Sequence, residues 1–172
     1  MRVFRFLFLI SLTFFVSACG FSPVYGTHDN GSPVIDQLNL VTIDNIPDHN
    51  GQILRNYLID RMYRKGRPQL PTYTLKVKLH YNVQDIGVQA NATSTRTILE
   101  TFGDYSLLDT KEKEVVHGTA HSVTSFDKLS DQYNTLASSE SAYDRTIHEI
   151  SEQIVNRLSV YFADGPVKSS AP

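Results

Sequence analysis

The residue with the most distinctive chemistry is the only cysteine in the chain, Cys19, which stands directly behind Val16-Ser17-Ala18. Small residues before a cut suit a signal peptidase, and a cysteine just past them resembles a bacterial lipobox. In that reading the thiol takes a diacylglyceryl group in thioether linkage, the chain is cut before Cys19, and the new amino group is acylated. Buried acyl chain contributes about 0.8 kcal/mol per CH₂, so one chain holds reversibly and two or three make an effectively permanent anchor. Gly20 is not the aspartate that many such systems read as an inner-membrane retention signal, which points to the outer membrane. The plain alternatives are an ordinary signal peptide with a coincidental cysteine, or a cytosolic chain whose apolar N-terminus packs in its core.

Cationic side chains are the second source of chemistry. Lys76, Lys78 and His80 alternate along one stretch, and Arg96 stands in Thr93-Ser94-Thr95-Arg96-Thr97. On a strand, alternate residues share a face, so the first three form a stripe. It is either a solvated face or a site for phosphate groups, to which Arg offers a bidentate pair and Lys a point charge. His117 and His121 are four apart, which on a helix would aim both rings at one metal. On a strand the same spacing is about 13 Å, too far for zinc with bonds near 2 Å. No G-x-S-x-G, H-E-x-x-H or P-loop occurs, so the sequence offers no catalytic residues, metal ligands or cofactor site to name.

These groups must be carried by a modest number of elements. Arg2 and Arg5 precede an apolar run from Phe6 to Val16, the length of a secretory core and too short to span a bilayer. Residues 1–18 are therefore read as a lipoprotein signal peptide and 19–33, rich in Gly, Ser, Pro and Thr, as an acylated tether. Residues 34–164 are read as a single domain and 165–172 as a disordered tail. Val34 to Ile43 alternates weakly and reads as a first strand. Leu54, Leu58 and Met62, at steps of four, mark a helix that Gly66 and Pro68 stop, with Arg64 and Lys65 in its last turn. Tyr73, Leu75, Val77, Leu79, Tyr81 and Val83 alternate with polar residues in a long strand. After a polar segment from Asp85 to Ser94, Leu99 to Leu107 and Val115 to Thr124 complete an antiparallel meander. From Ser139 onward, Tyr143, Ile147, Ile150, Ile154, Leu158 and Tyr161 trace a helical face opposite Asp144, Glu149 and Glu152. The fold class this predicts is α+β, two helices packed on one face of a four-stranded, mainly antiparallel sheet.

Charge narrows the function classes. The 172-residue chain has 16 basic and 18 acidic side chains, a formal net charge of −2. Cutting before Cys19 removes Arg2 and Arg5 and leaves 14 basic against 18 acidic residues, so the mature chain is mildly acidic. Nucleic-acid binding needs a cationic excess that is missing here. Half-exposed long strands, by contrast, are an aggregation liability unless something covers them, which argues for a protein partner.

The start of the mature chain, Cys19-Gly20-Phe21-Ser22-Pro23-Val24-Tyr25-Gly26, resembles the C-G-F-x-P-L-Y-G opening of the LptE family of lipopolysaccharide-assembly lipoproteins, with Val24 in place of leucine. The resemblance continues through Leu54-Arg55-Asn56-x-Leu58, Thr95-Arg96 and Tyr105-x-Leu107-x-Asp109, and touches most of residues 19–162. It implies an outer-membrane lipoprotein without catalytic activity that plugs and helps assemble an LptD-type β-barrel protein and assists lipopolysaccharide delivery to the outer leaflet. It also implies lipopolysaccharide contacts by basic residues near the strand bearing Arg96, with Lys76 and Lys78 as further candidates and Lys128 as a candidate in the loop before the last helix. Two rival readings are an auxiliary lipoprotein of a phospholipid-handling ABC transporter and a periplasmic enzyme with a novel site.

Overall fold

The computed structural model describes residues 34–64, 66–88, 94–128 and 131–164. The signal peptide, the tether with Cys19 and the C-terminal tail expected from the sequence lie outside these residues, as does Lys65. Seven elements follow in chain order: α1 Val34–Leu38, β1 Val41–Ile43, α2 Asp48–Met62, β2 Tyr73–Val88, β3 Ser94–Asp109, β4 Glu114–Asp127 and α3 Gln132–Asp164. The sheet order is β1-β2-β3-β4, with β1 parallel to β2 and the other two pairings antiparallel. The architecture is the expected α+β one, with α2 and α3 on one face of a mainly antiparallel sheet.

Three elements differ in extent from the sequence reading. The expected first strand over 34–43 is a one-turn helix followed by a three-residue strand. Val34 and Leu38 are four apart and both buried, a spacing that a helical turn and an extended chain both place on one face. Only Val41 and Ile43 keep the alternation, and they make the whole of β1. β2 runs on to Val88 through the Asp85 segment read as polar loop, because Gln84, Asp85 and Ile86 all pair with β3. α3 begins at Gln132, ahead of the expected Ser139. Asp131 starts it by accepting the Tyr133 N–H at 2.9 Å, a cap of the usual Asp type. The first turns bury little, with Tyr133 and Leu136 exposed, so apolar periodicity carries no trace of them.

The end of α2 also falls earlier than expected. The helix stops at Met62, and Arg61, rather than Arg64, is the basic residue of its last turn. Gly66 follows with φ +93°, a left-handed conformation that glycine adopts without steric penalty.

The core lies between the helices and one face of the sheet. Leu54, Leu58 and Met62 of α2 and Ile147, Ile150, Ile154 and Leu158 of α3 meet Leu75, Val77, Tyr105, Leu107 and Ala120 from the strands. Gly103 brings α3 close: a Cβ there would stand 2.7 Å from the Ile150 Cγ2. One polar pair is embedded in this apolar layer, where the Thr101 hydroxyl donates to the Thr146 Oγ at 2.9 Å and Thr146 donates in turn to the Tyr143 carbonyl. β2 and α3 have matched reach, about 53 Å for sixteen strand residues and about 50 Å for thirty-three helical ones. No helix among the described residues is long and apolar enough to cross a membrane.

Candidate functional site

Because both long helices lie on one face, the other face of the β2-β3-β4 meander carries no covering layer among the described residues. Strand alternation puts Lys76, Lys78 and His80 of β2 on it, together with Arg96, Glu100, Phe102 and Asp104 of β3 and His117, Thr119, His121, Val123 and Asp127 of β4. The register arranges them in cross-strand rows, such as Lys76-Ser106-His117, Lys78-Asp104-Thr119 and His80-Phe102-His121. Among the described residues this open face is a large surface of the sheet available to a partner or ligand, and it holds most of the sequence-derived candidates.

At the end of the face nearest β1, Lys76, Lys78, Ser106, His117 and Thr119 line a depression of about 430 Å³ together with the carboxylates of Asp104 and Glu114. The small Ser106 side chain leaves the space, while Gly118, on the other face, makes room for the Tyr105 hydroxyl, which a Cβ there would meet at 2.7 Å. The His117 Nδ1 stands 3.0 Å from Glu114, and His80 stands 3.4 Å from Asp104. Such a depression can hold an anionic group between two ammonium ions. In the next row, the Phe102 ring is stacked between two imidazoles, His80 at 4.8 Å and His121 at 4.4 Å between centroids. The two histidines expected to lie apart, His117 and His121, do so, one at the depression and one in the stack. No group of three metal-ligating side chains occurs among the described residues.

Arg96 lies at the opposite end of the same face. Its Nε donates to the Asp127 carboxylate at 3.0 Å, across the β3-β4 pair. Arg96 is opposite Ile86 on β2, eight residues from Lys78, so the two cationic ends are about 26 Å apart. Lys128 does not join either group. Its ammonium donates to Asp85 at 2.6 Å, on the helix-covered side, and the Thr97 hydroxyl donates to the other oxygen of the same carboxylate. These two donors hold the Asp85 carboxyl below the usual carboxylate range, the Lys128 hydrogen bond being the larger cause. The four cations named from the sequence thus form three separate places: the Lys76/Lys78 depression, Arg96 at the far end of the open face, and Lys128 behind it.

Sequence reasoning missed the carboxylates that pair with these cations. Asp85 and Asp127 are far from Lys128 and Arg96 along the chain, and only strand pairing brings them together. The polar side of α3 makes contacts of its own: Asp144 accepts the Tyr57 hydroxyl at 2.9 Å, Glu149 accepts from Ser122, and Glu152 pairs with Arg61. The Asp144 bond raises the Tyr57 phenol above its ordinary range. These bonds fasten α3 to α2 and to β4.

The sequence profile of the LptE family, described as lipopolysaccharide-assembly, matches residues 37–158, from α1 to the last turns of α3. The chain belongs to the LptE family. Its role therefore lies in lipopolysaccharide assembly, within a family whose work is assembly rather than turnover. Among solved structures, a Caulobacter crescentus protein described as a lipoprotein is 26% identical, aligned over 77% of this chain and 97% of its own, with a TM-score of 0.61. Lipoprotein B from Nitrosomonas europaea shares the fold at 12% identity, with a TM-score of 0.56 over 76% of this chain and 86% of its own. No match is found among curated proteins. LptE membership and the lipoprotein neighbour point to an anchored protein of the cell envelope, and nothing in them favours the transporter-auxiliary reading.

Proposed function

We propose that this protein is an outer-membrane lipoprotein, acylated at Cys19, that plugs and helps assemble an LptD-type β-barrel and assists lipopolysaccharide delivery to the outer leaflet. The observation that carries this reading is the open face: three long strands with one side sealed by helices and the other lined by Lys, His, Asp, Glu and Thr side chains. A barrel lumen is polar and water-filled, so a plug needs a polar exterior of matching length. The protein performs no catalysis in this reading, and its contribution is to occupy space and to present charge.

Within that role, Arg96 is the foremost lipopolysaccharide contact, since its guanidinium matches phosphate geometry. Lys76 and Lys78 form a second station for anionic groups on the same face, and Lys128, on the other side of the sheet, is the weakest of the four. The deciding experiment is depletion of the protein followed by analysis of the barrel. Loss of the mature, folded barrel form, and co-purification of the two through detergent extraction with protection from protease, is the expected result. A barrel that matures normally without this protein would refute the proposal.

A further inference from the structure

The two edges of the sheet are treated differently. At β4 one residue of the edge is capped by a side chain: the Gln153 amide donates to the His121 carbonyl at 2.8 Å and accepts the His121 N–H at 3.1 Å, as a neighbouring strand would. At β2 the only covering strand is β1, whose pairing ends at Ile43↔Leu75. β2 continues to Val88, and among the described residues no strand pairs with its outer edge beyond that point.

The polarity of that edge follows from one bond. Asp44 N–H donates to the Leu75 carbonyl at 2.9 Å, so odd-numbered residues of β2 aim their backbone groups away from β3. Val77, Leu79, Tyr81, Val83 and Asp85 therefore present N–H and C=O groups outward. Of the devices that normally blunt an edge, this stretch carries charged side chains, Lys78 and Asp85, and no other among the described residues. It has no proline, and no positive φ occurs before Gly87. Val83 is half exposed on the helix side of the edge. Lys76 and Lys78 flank the edge on the open face, and no carboxylate lies within ion-pair distance of either among the described residues.

We propose that the outer edge of β2 from Val77 to Asp85 is a strand-addition site for an extended, carboxylate-bearing segment of the partner protein. The added strand satisfies the outward backbone groups, as in other β-augmented complexes. Its acidic side chains face Lys76 and Lys78, where an opposite-charge cross-strand pair is favourable and a like-charge one is not. This proposal rests on the barrel-plug reading, because it takes the barrel protein as the source of the segment.

The test uses the full, lipidated chain co-expressed with the barrel. Val83→Pro removes one outward N–H and leaves the β2-β3 ladder intact, since the Val83 amide points away from β3. Lys76→Glu combined with Lys78→Glu reverses the flanking charge and touches no core residue. Circular dichroism melting establishes that each variant is folded. Both are expected to lower retention of the barrel in detergent at least tenfold, and a photo-crosslinker at position 83 is expected to capture an acidic segment of the barrel protein. Folded variants that retain the barrel at the wild-type level would overturn the edge proposal and leave the plug reading standing. Crosslinking at position 83 to a second copy of this chain would overturn it as well. Wild-type protein that retains no barrel would instead overturn the plug reading on which it depends.

Discussion

Thr101 and Thr146 differ in what each loses when the other is removed, and this makes them a sensitive test of the packing between sheet and helix. Thr101 donates to Thr146, which has its own acceptor in the Tyr143 carbonyl. Thr146→Val leaves the buried Thr101 hydroxyl without a partner, and such orphaning costs about 1–3 kcal/mol. Thr101→Val leaves Thr146 still bonded and is expected to cost less, while adding it to Thr146→Val recovers part of the loss. Urea unfolding of the two single variants and the double variant measures this non-additivity. Asp85 gives a second residue-scale expectation. Its lowered folded pKa stabilises the native state above the unfolded carboxyl's pKa, and this contribution disappears as pH falls through the folded value. Carboxyl titration by NMR should find Asp85 below the ordinary aspartate range, and Lys128→Met should move it up. Asp85→Asn should make the acid side of the stability curve shallower, an effect that salt reduces because the pair is exposed.

At the scale of elements, Gln153 joins a helix to a sheet edge with two backbone hydrogen bonds from a single side chain. Gln153→Ala is expected to speed hydrogen exchange of the His121 amide and to cost about 1–2 kcal/mol, the ordinary net value of two hydrogen bonds. The Ser122 amide, which by alternation points towards β3, should stay protected. The same elements show why some of the fold was legible in the sequence and some was not. Tyr73 to Val83 and Tyr143 to Tyr161 advertise their periods because one side of each is buried and the other wet. Residues 132–138 fold into the same helix without burying an apolar stripe, so only the Asp131 cap marks their start. Val34 and Leu38 fit two periods at once, and their contact with α3 decides for the helix. The candidate site was legible as residue types: the cations were visible, while their partners Asp127 and Asp85 became visible only through strand register.

At the scale of the whole molecule, the geometry separates cations that the sequence groups together. Arg96 and the Lys76/Lys78 pair share the open face about 26 Å apart, and Lys128 reaches the opposite side. A ligand lying along the open face meets the first two sets and misses the third. Binding of labelled lipopolysaccharide to the purified, non-lipidated protein is therefore expected to fall about tenfold in Arg96→Glu, the worth of one charge-assisted hydrogen bond. Reversal of Lys76 and Lys78 should give a separate loss, and the two losses should multiply, because sites so far apart act independently. Lys128→Glu should leave binding within about twofold of wild type, since a ligand on the open face does not reach the other side of the sheet, even though the change destroys the Asp85 pair. Raising the salt should shrink the Arg96 and Lys76/Lys78 effects together, since exposed charges are screened. If Lys128→Glu instead weakened binding as much as Arg96→Glu, the ligand would have to wrap around the end of the sheet, engaging both sides of the β3-β4 pair. Unchanged binding in Arg96→Glu would remove the far end of the open face from the lipopolysaccharide path and leave the Lys76/Lys78 depression as its only station there.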